Sequence, residues 1–349
     1  MASRIVGLDI GKDTIRAVEL ENADKAKPVI TRYHEIAVPE GAVRSGEVRE
    51  VNTVAVAIKR LWTVGGFKSK QVVLGMGNQR VLARDLTVPK MSQTQIRESL
   101  PFQVQDMLPV PVSEALLDFY PISEGTGESG PVVNGLLVAA IKESVLANVK
   151  AVRQAGLAPV QVDLIPFALS RILMRGSLAR GTIAIVDIGA STTNVVITTS
   201  GVPQFVRMIP AGGDDLTKAL VNRLEISPVQ AEQAKRTRGF VSTPVSSEAE
   251  RLVAEIIHES TSDLLNSLRN TINYFANSRQ NDPIQAIVLT GGASQMIGLA
   301  QSLGDVTRLQ VIPADPFSTV EVSRGARKDD SGDPRSMTVA LGLALGSAA

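Results

Sequence analysis

The chain has 349 residues and a nearly balanced charge, with 36 basic and 35 acidic side chains. This length exceeds what one ordinary hydrophobic core holds, so two lobes or several subdomains are expected. A formal net charge of +1 gives no electrostatic reason to invoke nucleic acid or an acidic membrane surface. The absence of cysteine excludes disulfides, thiolate zinc sites and cysteine nucleophiles. The two histidines, His34 and His258, are too few and too far apart for a histidine metal site or a Ser-His-Asp triad.

The N-terminal segment begins with a strand-like run and lacks the long apolar stretch and small-residue cleavage site of a secretory signal. No stretch approaches the roughly 20 apolar residues that a membrane span needs. We therefore expect a cytoplasmic protein.

The first 76 residues alternate between strand and helix patterns. Apolar residues of the helix fall on one face, and Gly65 and Gly66 are expected to end it. The predicted elements are strands at 4–9, 14–20 and 71–76 and a helix at 53–64.

Residues 80–160 change character and predict a compact α+β insert. Apolar residues between 96 and 107 recur at helical spacing, and Pro101 is expected to kink or restart that helix. The Gly- and Ser-rich segment 123–131 predicts a flexible polar hairpin loop. The other predicted elements are strands at 81–88, 116–122 and 132–141 and a helix at 144–155.

After residue 181 the opening pattern returns, and a mostly helical region follows it. Ser227 and Pro228 mark a helix start, with serine as the N-cap and proline at the first helical position. The predicted elements are strands at 183–187, 194–198 and 286–290, helices within 213–279, a helix from 292 through 303, and a last helix at 336–345.

The opening segment occurs twice in the chain. Residues 5–18 match residues 183–196, and the second copy lies at a constant offset of 178, the difference between positions 187 and 9. A solenoid would show many short repeats. Two copies at this distance indicate two similar lobes instead.

Each Asp-Ile-Gly turn in the duplicated segment is suited to phosphate. A tight hairpin with glycine at its tip exposes backbone N–H groups that bind anions. The carboxylates of Asp9 and Asp187 fit beside phosphate only with a cation, and Mg²⁺ bound through water suits them. Either turn alone also fits an ordinary β-turn, whereas the paired copy favours two phosphate loops. The loop residues assigned to the nucleotide are Asp9, Gly11, Lys12, Asp13, Thr14, Asp187, Gly189, Ala190, Ser191 and Thr192.

Three further segments are weaker candidates for the same site. Residues 291–294 follow a strand and open a helix, where glycine permits close approach of a flat ligand and a helix N-terminus favours an anion. Residues 212–213 occupy a similar turn. Glu232 and Lys235 share a helix face, which fits either a surface ion pair or recognition of ribose and adenine. The residues assigned here are Gly212, Gly213, Glu232, Lys235, Gly291, Gly292, Ala293 and Ser294.

Together and in this order, these segments resemble the motifs of the actin-like ATPase superfamily. The two turns resemble its phosphate loops, residues 288–294 its adenosine motif, and residues 163–171 and 339–345 its two connecting helices. The resemblance covers essentially the whole chain. It implies an α/β, actin-like (ribonuclease H-like) two-lobe ATPase fold that binds ATP and Mg²⁺.

Within that superfamily the chain resembles the PilM family of type IV pilus assembly proteins, which is related to FtsA. The segments that carry this resemblance are 88–93, 102–111, 117–119, 210–217, 231–235 and 313–317. The resemblance implies an FtsA/PilM-type α+β insert subdomain. The implied division is a first-lobe core, IA, at 1–82 with 161–180 and 336–349, an insert, IC, at 83–160, a second-lobe core, IIA, at 181–212 with 286–335, and a helical subdomain, IIB, at 213–285.

Two residues depart from the family pattern. Lys12 stands where a small serine or threonine is usual, so it either neutralises phosphate charge directly or points to solvent, and Arg16 stands where lysine is common. In addition, no residue is identified as a general base for hydrolysis. The catalytic residue is therefore unassigned, and at most a slow ATPase activity is expected.

The resemblance implies an ATP-binding cytoplasmic scaffold of the pilus machinery. Nucleotide-dependent closure of the lobes would control binding of the cytoplasmic N-terminal peptide of a PilN-type membrane protein, in a groove between the first lobe and the insert. The motor ATPase PilB and a second copy of the chain are the other partners it implies. Nucleic acid is not expected, and the membrane is expected to be reached at its inner face only through partners.

Three alternatives come from other classes of protein. An FtsA-like filament that tethers to membranes would need an amphipathic helix, and none is expected because residues 346–349 end the chain directly after the last predicted helix. A metabolic kinase shares the fold, but the insert offers no evident carboxylate for a sugar hydroxyl. A nucleotide-dead scaffold is disfavoured because both loop aspartates are present.

Overall fold

The structure is a computed structural model that describes residues 4–25, 27–128, 130–240, 247–326 and 334–346. Strands and helices are numbered below in chain order. Within the predicted subdomain ranges, residues 1–3, 26, 129, 241–246, 327–333 and 347–349 lie outside the described residues. Among the helices it describes, none is long and apolar enough to cross a membrane.

The first lobe begins with an antiparallel hairpin covered by an amphipathic helix. Val54, Ile58 and Leu61 recur one helical turn apart and are fully buried in one hydrophobic cluster with residues of the hairpin. Gly66 adopts a left-handed conformation with φ of 66°, which ends the helix as predicted. The elements are β1 (Arg4–Ile10), β2 (Thr14–Glu21), β3 (Val29–Ala37), β4 (Val43–Arg44), β5 (Glu47–Val48), α1 (Val51–Gly65) and β6 (Gln71–Met76).

A three-stranded antiparallel sheet with one helix follows. Its elements are β7 (Val81–Pro89), α2 (Gln93–Gln103), β8 (Ala115–Gly127) and β9 (Gly130–Ile141), in the strand order β7-β9-β8. Ser92 and Gln95 form a capping box that begins α2, and the helix continues for two residues past Pro101. The hairpin predicted at 123–131 is present, but its loop is much shorter than predicted. β8 and β9 stay paired to the Gly127–Gly130 position, because the Gly- and Ser-rich residues gain cross-strand hydrogen bonds that outweigh their turn preference.

The next three elements return to the first lobe. They are α3 (Lys142–Gln154), β10 (Ala158–Leu164) and α4 (Ile165–Leu173). Ala151 and Val152 of α3 are fully buried in the same cluster as α1, and β10 pairs in parallel with β6. The last part of the predicted insert, residues 142–160, therefore packs on the first lobe rather than on the three-stranded sheet.

The second lobe repeats the opening of the first. Its hairpin is antiparallel and its next central pairing is parallel, as in the first lobe. The predicted helix directly after 291–292 is replaced by a 3₁₀ turn at Gly292–Gln295, because Gly298 at φ of 81° starts the α-helix only after it. The elements are β11 (Thr182–Ile188), β12 (Thr193–Thr199), β13 (Val202–Ile209), α5 (Gly213–Leu224), α6 (Pro228–Arg238), α7 (Glu248–Ser278), β14 (Ile284–Thr290), α8 (Leu299–Thr307) and β15 (Gln310–Pro313).

Two helices lie between the two large sheets. β16 (Glu321–Val322) completes the first sheet in the order β10-β6-β1-β2-β3-β16, and the second sheet has the order β13-β12-β11-β14-β15. All eight residues of α9 (Thr338–Leu345) are buried, and α9 packs on β1, β2, β6 and α4. α4 also packs on β12 and β13 of the second lobe. The layers are thus α1 and α3, the first sheet, α4 and α9, the second sheet, and α7 with α8.

A fully buried carboxylate fixes one end of the first sheet. Glu19 on β2 accepts hydrogen bonds from the backbone N–H groups of Ser69 (2.7 Å) and Lys68 (2.8 Å), from the Thr31 hydroxyl (2.8 Å) and from Arg32 Nη1 (3.0 Å). Burial alone would raise the pKa of Glu19, but these donors outweigh it and hold the pKa below the ordinary value of 4.5. The ionised form is therefore the one that stabilises the fold.

We predict that Glu19→Gln lowers the free energy of unfolding at pH 7 by about 1–3 kcal/mol, because an amide leaves buried donors unpaired. The loss should shrink as the pH falls from 4.5 through the lowered pKa of the folded state, because the wild-type carboxylate then also becomes neutral. Urea denaturation at pH 7 and at low pH measures it. Glu21→Gln, on the same strand at a partly exposed position, is the control. An equal loss at both pH values would exclude a role for the charge.

Candidate functional site

The two duplicated turns have the same backbone geometry. Gly11 N–H donates to the Thr14 carbonyl and Gly189 N–H donates to the Thr192 carbonyl, both at 3.0 Å. A Cβ at either glycine would lie 2.9 Å from that carbonyl oxygen. Both turns therefore require glycine at the same position, and the sequence duplication is also a structural one.

Asp9 and Asp187 lie at equivalent positions near the ends of the central strands β1 and β11. Asp9 is opposite Arg16 across its hairpin, with 3.7 Å between Asp9 Oδ2 and Arg16 Nη1. Asp187 is opposite Asn194, whose Nδ2 donates to Asp187 Oδ2 at 3.3 Å. Arg16 also pairs with Glu35 at 2.9 Å. Antiparallel register alone therefore gives each aspartate a fixed polar neighbour.

The electrostatics of these aspartates favour a bound cation. Burial raises the pKa of Asp9, and Arg16 offsets part of that rise. Burial likewise raises the pKa of Asp187 to about 6, the Asn194 hydrogen bond offsets part of it, and the charge of Asp9 raises it further. The two lobes thus bring their carboxylates close enough to repel each other. Only two carboxylates meet here, and no cluster of three or more metal-ligating side chains occurs in the described ranges, so a metal would take its other ligands from water and phosphate, as Mg²⁺ commonly does.

The N-terminus of α5 is joined directly to the second turn. Gly213 N–H donates to the Gly189 carbonyl at 3.0 Å, and Asp214 N–H donates to the Ala190 carbonyl at 2.8 Å. A Cβ on Gly212 would lie 2.5 Å from both of those carbonyl oxygens. This contact requires a residue without a side chain at 212, which explains the Gly-Gly pair.

Glu232 and Lys235 also meet the start of α5. Lys235 Nζ donates to the Gly213 carbonyl (3.2 Å) and to Thr217 Oγ1 (3.0 Å), and it pairs with Glu232 Oε2 at 2.5 Å. The Thr217 hydroxyl donates to the same Glu232 oxygen at 3.1 Å. Because the Lys235 side chain is only 12 % exposed, these contacts form a largely buried link between α6 and α5 rather than a surface ion pair. Recognition of ribose by these two residues stays a prediction.

Residues 291–294 complete the second-lobe side of the site. Gly291 has φ of 93°, and a Cβ there would lie 2.4 Å from the Ile188 carbonyl oxygen. A Cβ on Gly213 would lie 2.9 Å from Ala293 Cβ, so this segment borders the α5 N-terminus. A Cβ on Gly292 would meet nothing within 4 Å, which leaves an open face beside the backbone. The second-lobe candidates from three separate segments are therefore brought together.

Lys12 joins the two lobes. Its Nζ forms an ion pair with Asp214 in the first turn of α5 and lies 3.7 Å from Asp13 Oδ1. In this arrangement Lys12 does not point freely to solvent, and its charge is held by the carboxylate of the opposite lobe.

Sequence reasoning did not assign four contributors to the site: Arg16, which it noted only as a departure from the family pattern, and Asn194, Asp214 and Thr217. Counting the hairpin register outward from each turn would have placed Arg16 and Asn194 beside the aspartates. Neither Thr192 Oγ1 nor Asn194 Oδ1, both buried, has a hydrogen-bond partner among the described residues. These orphan atoms, together with the glycine contacts and the paired carboxylates, fit a bound polar ligand such as Mg²⁺ with phosphate.

Comparison with known proteins identifies similar chains. The family model of the type IV pilus assembly protein PilM matches residues 7–348. A chain of the PilM–PilN type IV pilus biogenesis complex superposes with a TM-score of 0.85 at 27 % identity, covering 100 % of both chains. The cell division protein FtsA of Bacillus subtilis (strain 168) is 22 % identical over 353 residues, 89 % of this chain and 78 % of that protein. MreB 5 of Spiroplasma citri bound to AMPPNP has a TM-score of 0.54 at 11 % identity, covering 98 % and 95 %. The predicted actin-like two-lobe fold is confirmed.

We predict that Asp187→Asn stabilises the ligand-free protein at pH 8. A folded-state pKa raised from 3.8 to about 6 means that the ionised side chain opposes folding. This penalty grows as pH rises through that interval and is absent below it. The expected gain is on the order of 1–3 kcal/mol at pH 8 and vanishes near pH 4.

Thermal denaturation across this pH range measures the effect. Asp24→Asn, at an exposed position after β2, is the matched control and should change little at any pH. A gain at pH 4 as large as that at pH 8, or a loss at pH 8, would contradict the electrostatic account.

Proposed function

The chain belongs to the PilM family of type IV pilus assembly proteins, and on that basis we propose that it is an ATP-binding scaffold whose lobes close on nucleotide. Closure sets its affinity for the cytoplasmic N-terminal peptide of a PilN-type membrane protein. The observation that carries the nucleotide part is the pair of equivalent turns whose buried aspartates, Asp9 and Asp187, interact across the two lobes. Through its partner, the protein would work at the inner face of the cytoplasmic membrane.

In this proposal each part of the site has a role toward ATP. The turn amides contact the phosphates, and the two aspartates hold hydrated Mg²⁺. Glu232 and Lys235 contact the ribose, and the open backbone face at residues 291–294 lies against adenine. The AMPPNP bound to MreB 5 supports a nucleotide as the ligand of this fold. No side chain among the described residues is assigned as a general base, so hydrolysis is proposed to be slow.

The ion pair between Lys12 and Asp214 links nucleotide to lobe position. It connects the first-lobe turn to the second-lobe helix α5. Incoming phosphate would compete with Asp214 for the lysine ammonium, so binding would change a direct contact between the lobes. A ligand shifts a conformational equilibrium only through such differential contacts.

The proposed peptide groove lies between the first lobe and the three-stranded sheet. Similarity to a chain of the PilM–PilN complex over its full length supports a PilN-type partner. The sheet touches both lobes: Tyr120 on β8 packs on Phe167 of α4, with ring centroids 4.7 Å apart, and Asp85 Oδ2 lies 3.8 Å from Arg279 Nη2 beyond α7. A module that contacts both lobes can transmit closure to the groove.

We predict that Asp9→Ala and Asp187→Ala each weaken binding of Mg²⁺–ATP at least tenfold, about 1.4 kcal/mol, because each removes a carboxylate that neutralises the cation. Isothermal titration calorimetry of purified variants measures the affinities. Asp24→Ala serves as the control and should bind like wild type. Wild-type affinity in both loop variants would refute the site.

We predict that a PilN-type N-terminal peptide protects residues 83–160 and the adjoining first lobe from amide hydrogen exchange. Burial of the groove slows opening of the backbone hydrogen bonds around it. The experiment uses the intact protein with and without ATP, and ATP should change the peptide concentration at which protection is half-maximal. Protection confined to residues 213–285 would place the partner on the other lobe and contradict the groove.

A further inference from the structure

The first lobe has an end that faces away from the nucleotide cleft. β1, β6 and β10 run parallel, and the first phosphate turn lies at the C-terminal end of β1. α1 and α3 run back over the same face of the sheet and pack against each other, so both end beside the starts of β6 and β10. The outer faces of α1 and α3 and the connection at residues 66–70 therefore form one surface, which we term the basal surface.

The basal surface is basic, and its one acidic side chain among the described residues of α1, α3 and 66–70 is Glu143 in the first turn of α3, at the far end of that helix from residues 66–70. Residues 51–84 and 144–162 contain no aspartate or glutamate, although the chain as a whole is balanced at +1. The exposed cations of this surface are Lys59, Arg60, Lys68, Lys70, Lys150 and Arg153. Salt bridges among the described residues involve none of these six. At this end of the sheet Glu19 is buried, Glu21 pairs with Arg4, and Asp24 is exposed in the connection between β2 and β3.

Apolar side chains are interspersed with these charges. Val56 on α1 is 66 % exposed, Val64 is 48 % exposed and Leu146 on α3 is 53 % exposed. Leu146 also lines a shallow depression of about 490 Å³ with Lys150 and Arg153, which follow it at one-turn spacing. Exposed apolar side chains that are grouped together and rimmed by polar residues mark protein or membrane interaction sites.

This combination of exposed cations and apolar side chains indicates which kind of partner would cover the basal surface. Trp62 Nε1 donates to the Ser69 carbonyl and the ring packs on Phe67, so the aromatic residues here form no platform for stacking bases. The surface is made of two parallel helices rather than a cleft that would enclose a peptide. A bilayer with anionic headgroups matches both its charge and its apolar residues, and each Lys or Arg near such a bilayer contributes about 1 kcal/mol.

We propose that the basal surface binds anionic phospholipid headgroups directly. This goes beyond the function proposed above, in which the membrane is reached only through a protein partner. Because the cleft lies at the opposite end of β1, lipid and nucleotide bind without competing for the same residues. The nearly balanced net charge of the chain does not reveal this basic surface, because the acidic residues that balance its cations lie elsewhere.

Flotation with vesicles tests the proposal on the full chain. The protein should float with vesicles of phosphatidylcholine containing about one third phosphatidylglycerol, should not float with phosphatidylcholine alone, and should be released by high salt as the charges are screened. The triple charge reversal Lys68→Glu, Lys70→Glu and Arg153→Glu should reduce partitioning at least tenfold. A control triple, Arg180→Glu, Arg207→Glu and Arg269→Glu, changes the same net charge at exposed, unpaired positions elsewhere and should retain most of it.

The outcomes separate the alternatives. Circular dichroism melts and ATP titration establish that both triple variants are folded. Equal loss in the two triple variants would show a net-charge effect, and absence of wild-type flotation would show no lipid site; either result overturns the proposal. Binding of polyglutamate or an oligonucleotide as tightly as vesicles, lost in the same basal variant, would identify a general polyanion surface and also overturn it.

Discussion

Direct backbone contact between a strand and two helices holds the molecule together. A Cβ on Gly7 of β1 would lie 1.9 Å from the Ala340 carbonyl oxygen of α9, and a Cβ on Gly342 would lie 2.1 Å from the Ala168 carbonyl oxygen of α4. These two glycines let α9 lie on the first sheet and on α4 with no side chain between them. Since α4 packs in turn on β12 and β13, these contacts of β1, α9 and α4 form a seam that joins both lobes. It also sets the ends of β1 and β11 opposite each other, which is why two turns so distant in sequence form one site.

That arrangement places like charges close together in a buried position. Burial and the charge of Asp9 raise the cost of ionising Asp187, and the Lys12–Asp214 pair lies on the other side of the first turn. In the proposed function, a bound cation with phosphate would relieve repulsion between the lobes and compete for Lys12. The free energy so released would be available to change the lobe arrangement. Its proposed route to a protein partner runs through the three-stranded sheet, which contacts α4 and the end of α7.

Local sequence signals identified residues that the fold brings together, but they did not identify the long-range contacts among them. A glycine turn has the same backbone requirement wherever it occurs, so Gly11 and Gly189 could be paired from sequence alone. Lys12 could not be matched with Asp214 because 202 positions separate them and only the folded seam brings them together. The segment 123–131 misled for a related reason: its Gly and Ser residues favour turns locally, but pairing with β9 overrides that preference. α3 lies within the predicted insert but packs on the core of the first lobe, because chain proximity does not say which core a helix joins.

Charge distribution carries information that total charge conceals. A net charge of +1 gives no reason to expect an acidic partner surface only if acidic and basic side chains are evenly mixed along the chain. Residues 51–84 contain no acidic side chain. Six exposed cations on one surface are enough for the lipid contact proposed here, and a peptide partner that holds the protein near a bilayer would strengthen it by raising the effective concentration of headgroups. Such a contact would also fix the orientation of the protein on the bilayer. It would direct the cleft, which lies at the opposite end of β1, away from the bilayer and leave the nucleotide site open.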